Sequence, residues 1–141
     1  MISAIEIEKP DLVFFLGDGE RDIVKVMDKY PDLPVYAVRG NCDFRSGLSN
    51  LLKCAVGGVT IFMTHGHMSN VKYEDRLDTL TQQAIQAGAE VALFGHTHSQ
   101  HLSYNMGVML LNPGSVGRGY YPGYAVLNIE NGRCLADLKS I

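Results

Sequence analysis

Five residues of this 141-residue chain have the donor chemistry of a divalent-metal site, and they follow apolar runs. Leu12 to Leu16 runs into Gly17-Asp18, and Val35 to Val38 runs into Gly40-Asn41-Cys42-Asp43. Val59 to Met63 runs into His65-Gly66-His67, and Val91 to Phe94 runs into Gly95-His96-Thr97-His98. Short apolar runs of this kind read as buried strands, and in an α/β sheet chemistry gathers beyond the strands' carboxyl ends. A pocket offering Asp18, Asn41, His65, His96 and His98 combines oxygen and imidazole donors, which suits two divalent cations.

Single pieces have plainer explanations. Asp18 also fits as the N-cap of a helix beginning at Arg21, and Asn41 as an ordinary turn residue. The histidines resist such readings. Four of the five fall in two His-x-His pairs at strand ends, which places imidazoles on a common rim. His101 reads as a surface strand residue and is not assigned to the metal. Ser115, Arg118 and the tyrosines Tyr120, Tyr121 and Tyr124 lie in a late glycine-rich loop. They either line a substrate entrance, with Arg118 facing a phosphate, or form a solvated loop with tyrosines packed on the core.

The elements that must position these residues follow from periodicity. Met1 to Glu8 looks like the tail of a helix, and Arg21 to Lys29 is a helix with Ile23, Val24, Val26 and Met27 on one side. Together with the first two apolar runs it makes a strand–helix–strand unit with parallel strands. A short helix is expected over Ser46 to Lys53, then a hairpin turning at Gly57-Gly58. A helix is expected over Glu74 to Ala87, closed by Gly88, with a packing face that includes Tyr73, Leu77, Leu80, Ala84, Ile85 and Ala87. Hairpins at Met106-Gly107 and Asn131-Gly132 complete a β-rich late half. The length allows one domain with a sizeable core.

Net charge is −3 with no basic stripe, so no extended nucleic-acid surface is expected. No apolar run reaches a membrane span, and the acidic N-terminus does not read as a signal peptide. The three scattered cysteines fit neither a disulfide framework nor a zinc knuckle, and a cytoplasmic location is expected.

In this order and spacing the Gly-Asp, Gly-Asn, His-Gly-His and Gly-His-Thr-His motifs, with Asn112-Pro113-Gly114-Ser115 after them, resemble the calcineurin-like metallophosphoesterase superfamily. The match is best to its small prokaryotic phosphodiesterase branch. The resemblance implies an α/β/β/α sandwich of two packed mixed sheets flanked by helices, one metallophosphoesterase domain over residues 1–141. It implies that Asp18 bridges two metals, that Asn41, His65 and His96 hold the second, and that His98 holds the first. His67 would face substrate or stand behind the ligands. Manganese is the expected metal, with zinc, nickel or iron as alternatives. A hydroxide shared by two such cations would attack the phosphorus of a small phosphodiester.

Two departures qualify that implication. The superfamily's first motif, Asp-x-His, is missing, so the fold is expected to lack its first strand and most of its first helix. A misplaced start is the expected cause, and a true loss the alternative. Either way the first metal keeps only Asp18 and His98, and weak diester hydrolysis is expected. Secondly, Cys42 stands where many members carry histidine. Cysteine brings no positive charge and protonates an alkoxide poorly, which favours diesters over dianionic monoesters; its bland role is a small apolar filler. Asp43 is either a support for a histidine ligand or a surface turn residue. The catalytic set is thus Asp18, Asn41, His65, Cys42 and Asp43. The competing functions are a scaffold on the same fold that binds a protein partner, as in the retromer subunit of this fold, and a structural metal site, which structural zinc's preference for cysteine disfavours. A homo-oligomer stays open.

Overall fold

The computed structural model describes residues 1–117 and 119–141. The chain opens on helix α1 (Ile2–Glu8), which stops where Lys9 turns left-handed and bonds back to the Ile5 carbonyl, just before Pro10. Strand β1 (Val13–Phe15), helix α2 (Glu20–Lys29) and strand β2 (Val35–Ala37) follow. β1 and β2 are parallel, with Val13 opposite Val35 and Phe15 opposite Ala37, as a strand–helix–strand unit requires. Ile23 and Val26 of α2 are buried against Ile5 and Phe15, so both helices cover one face of this strand pair.

Next come β3 (Leu51–Val56), β4 (Val59–Thr64), α3 (Asp78–Gln86), β5 (Val91–Leu93), β6 (Gln100–Asn105) and β7 (Val108–Pro113). The strands form one mixed sheet in the order β3-β4-β5-β7-β6, parallel at β4–β5 and β5–β7 and antiparallel at its edges. The hairpin β8 (Gly123–Glu130) and β9 (Arg133–Ser140) ends the chain.

Alternation along the strands sorts the core into two faces. Phe62, Ala92 and Leu110 point to α3, where Leu77, Leu80 and Ala84 meet them. Ile61, Met63, Leu93 and Leu111 point the other way, onto Phe14 and Leu16 of the first unit and Ala125, Leu127 and Ile129 of β8. A fully buried Leu such as Leu80 contributes about 1.5–3 kcal/mol by leaving water. The layers are therefore α3, the five-stranded sheet, a layer of β1–β2 beside β8–β9, and α1 with α2: the expected α/β/β/α sandwich of two packed sheets flanked by helices. In the second layer β1–β2 and β8–β9 remain separate two-stranded sheets.

Two expected elements differ. No helix spans Ser46 to Lys53; Leu51 begins β3 instead, whose residues alternate exposed and half-buried so that Leu52, Cys54 and Val56 pack inward. Two adjacent leucines imitate a helical face, but pairing with β4 imposes a period of two. Helix α3 starts at Asp78, four residues later than expected, because Glu74 folds back to accept bonds from the Thr79 N–H at 2.8 Å and its hydroxyl at 2.5 Å. Glu74 thus supplies the cap instead of the first turn. Tyr73 and Ile85, counted in the packing face, are exposed.

Candidate metal centre

Two tight turns bring the first ligands together. After β1, Gly17 and Asp18 both have positive φ, 90° and 61°; after β2, Gly40 lies directly against the Asp18 carboxylate, where any Cβ would collide. The Cys42 N–H donates to Asp18 Oδ1 at 2.8 Å. Asp43 closes the clasp. Its carboxylate accepts from the N–H groups of Asp18 (2.8 Å), Gly40 (2.8 Å), Gly19 (2.9 Å) and Glu20 (3.1 Å). Burial raises the Asp43 pKa most strongly, yet the four amide donors together outweigh it and hold the carboxyl below its ordinary range. Asp43 is neither a surface turn residue nor a histidine's support. It joins the two ligand turns and satisfies the first amides of α2.

β4 delivers His65, which is 2% exposed. Its Nδ1 lies 2.6 Å from the Leu16 carbonyl oxygen, so that nitrogen carries the hydrogen and, in the neutral ring, Nε2 is left bare. Around Nε2 stand Asn41 Oδ1 at 3.0 Å, Asp18 Oδ2 at 3.2 Å and His96 Nδ1 at 3.2 Å. Asn41 is oriented by its amide nitrogen, 3.4 Å from Cys42 Sγ, which leaves the oxygen facing inward. Lone-pair atoms thus converge. Donors at about 2.0–2.2 Å from one cation are themselves roughly 3 Å apart, the spacing observed here. The ligand atoms of Asp18, His65 and His96 all lie within 4.8 Å of one another. The residues fit a divalent ion.

His96 and His98 sit in a turn with left-handed φ of 69° and 58°. Such geometry is strained for residues with a Cβ, and is held here by Asn112. Asn112 is fully buried; its amide donates to the Gly95 carbonyl and lies 3.0 Å from Thr97 Oγ1, while its oxygen accepts from Gly114 N–H. Burial first, then the charges of Lys72, His65 and His67, push the His96 pKa down to about 4, against the pull of Asp18. His67 is lowered for similar reasons, burial foremost.

The sequence-predicted residues separate into groups. Asp18, Asn41, His65 and His96 meet at one point. His98 lines the same cleft but lies outside that tight group. Cys42 is exposed beside Asp18 and is not an apolar filler. The His67 ring centroid is 5.5 Å from that of His65 and 6.1 Å from that of His96. Ser115 lines the cleft; Arg118 lies outside the described residues. Tyr120 and Tyr121 are exposed, and Tyr124 instead ties β8 to α1 through Glu8 at 2.7 Å. His101 stays in β6, edge-on to Phe94. Sequence reasoning missed Asn112's grip on the histidine turn and missed Arg39. Arg39 Nε and His67 Nδ1 are buried without a hydrogen-bond partner. The arginine immediately before Gly40-Asn41 was the available signal.

The calcineurin-like phosphoesterase superfamily domain matches residues 1–132. The chain belongs to that superfamily. Its members depend on divalent metals, and their chemistry is phosphoester hydrolysis. This superfamily member is 34% identical over 125 residues to the probable metallophosphoesterase YsnB of Bacillus subtilis, covering 86% of this chain and 70% of that protein. Its fold is similar to that of a predicted phosphoesterase from Streptococcus pneumoniae (TM-score 0.78, 27% identity, 96% of this chain and 78% of that one). It is also similar in fold to Entamoeba histolytica Vps29 complexed with zinc (TM-score 0.72, 20% identity, 99% and 87%).

Proposed function

We propose that the chain is a divalent-metal-dependent phosphodiesterase, with Asp18, Asn41, His65 and His96 as the ligands of its principal ion. The convergence of their lone-pair atoms carries this reading. A second ion would rest on Asp18 and His98. Bound cations supply a water-derived nucleophile at neutral pH and offset the negative charge that builds on phosphate oxygens. The chain's own residues do the rest. In the neutral ring His65 presents a bare Nε2 to the centre, because its Nδ1–H donates to the Leu16 carbonyl. Asp43 fixes the backbone under Asp18 and Gly40. Cys42, exposed at the rim, adds no cationic donor for a dianion, so a monoanionic diester with a good leaving group is the favoured substrate class. Manganese is the metal of choice.

The test is hydrolysis of bis(p-nitrophenyl) phosphate with added manganese. Activity that His65→Ala reduces by about 10²-fold or more supports the reading. The second reading is a partner-binding scaffold, favoured by the sparse ligand set, Asp18 and His98, for a second ion. Absence of diesterase activity in a folded, metal-loaded protein would favour it.

A further inference from the structure

Aromatic rings gain most by leaving water, and Phe15, Phe62 and Phe94 are buried accordingly. Among the described residues four rings stay more than four-fifths exposed: Phe44 (84%), Tyr73 (87%), Tyr120 (98%) and Tyr121 (84%). All four stand on segments that carry or brace the metal ligands. Phe44 directly follows Asn41-Cys42-Asp43. Its turn is firmly held. Four backbone amides pin the Asp43 carboxylate, the Ser46 N–H bonds the Asp43 carbonyl at 3.3 Å, and Arg45 is left-handed with φ of 65°. The ring is thereby kept in water, on the wall of the cleft that His96 and His98 also line. Tyr120 and Tyr121 follow Gly119, where a Cβ would stand 3.0 Å from the His98 carbonyl oxygen, so their loop lies against the second histidine turn. Tyr73 ends the segment that leaves His65-Gly66-His67, in which buried Val71 packs on Gly66.

We infer that this aromatic rim selects the ester group of the substrate, and that the group is a nucleoside whose base stacks on Phe44. The inference rests on the hydrolase reading and adds the substrate class to it. The Cys42 N–H bonds Asp18 Oδ1 at 2.8 Å, and Phe44 lies two residues further on, at most about 7 Å along the chain. The organic group of a phosphate ester held at the ligands of the ion is therefore within reach of that ring. Every base presents a flat π-face, and stacking on an exposed aromatic ring is a general means of holding an unpaired base. An alkyl ester offers no such face. A long polynucleotide would need a basic track for its phosphates, which a chain of net charge −3 with no basic stripe does not supply. The substrate is therefore a diester of one or two nucleosides. Tyr120 and Tyr121, on the His98 side, offer a face for the second.

The test reads binding, not turnover. Manganese-loaded protein is titrated calorimetrically with adenosine 5′-monophosphate and with ribose 5-phosphate, which share the phosphate and differ by the base. The base should tighten binding about fivefold or more. Phe44→Ala, at an exposed position where truncation leaves the fold intact, should bring the two ligands within about twofold of each other. The chain contains no tryptophan, so Phe44→Trp installs a single reporter. That variant should keep the preference, and its fluorescence should be quenched by the nucleotide and not by the sugar phosphate. Equal affinity for the two ligands, a preference that survives Phe44→Ala, or a tryptophan indifferent to the base would overturn the inference. Base preference without hydrolysis of bis(p-nitrophenyl) phosphate would support the stacking site and count against the hydrolase reading alone.

Discussion

Replacing Asp43 tests how the two ligand turns are held. Its carboxylate accepts four backbone N–H bonds at 2.8–3.1 Å, and it is 8% exposed. In Asp43→Ala the amides of Gly19 and Glu20 open the first turn of α2, and their loss resembles loss of a helix cap, about 1 kcal/mol. The Gly40 amide is buried and that of Asp18 half-buried, and leaving each without an acceptor costs about 1–3 kcal/mol. The sum, about 3–7 kcal/mol, is a large part of an ordinary domain's stability. Asp43→Asn keeps one acceptor oxygen and should lose roughly half as much. Urea unfolding of the metal-free protein measures both, with an unchanged m-value confirming that only stability moved. The same variants should bind manganese at least about tenfold more weakly, since Asp18 is no longer braced. If Asp43→Ala stays within about 1 kcal/mol of the parent, the clasp does not carry the load assigned to it.

Further outcomes follow from other residues. Cys42→His places a cationic proton donor at the rim and should raise hydrolysis of p-nitrophenyl phosphate relative to its diester; an unchanged ratio would remove the argument for diester selectivity. Metal titration by calorimetry should give one tight site, kept in His98→Ala and lost in His65→Ala, whereas two tight sites would contradict the ligand grouping. Metal-free stability should fall as pH drops from about 6.5 toward about 4. His96 has a folded pKa of about 4 against an ordinary 6.5, so the unfolded chain binds more protons across that window. His67 and His101 are shifted the same way. Asp43, held below its ordinary 3.8, adds stability that persists through this range and is lost only at lower pH. Chemical denaturation at several pH values reads the slope, and flat stability between those limits would refute it.

Much of this arrangement could be read in the sequence because the same residues define element and site. An apolar run ending at Gly-Asp or Gly-His announces both a buried strand and its functional end. Parallel β1–β2, the glycine hairpin of β3–β4 and the Asn131-Gly132 turn were visible for the same local reasons. What escaped depends on long-range partners. Glu74 looks like a helix residue until Thr79 turns it into a cap. Asp43 gives no local hint of its bonds to Asp18, Gly19 and Glu20, more than twenty residues away in the chain. Asn112 reaches back to Gly95 across the sheet. The strain at His96 and His98 is a backbone property that no side-chain pattern encodes.

The most direct measurement is anomalous X-ray scattering from crystals soaked in manganese. The account predicts a peak bounded by Asp18 Oδ2, Asn41 Oδ1, His65 Nε2 and His96 Nδ1, each about 2.0–2.3 Å from it. A peak elsewhere, or none between these four atoms at saturating metal, would contradict it.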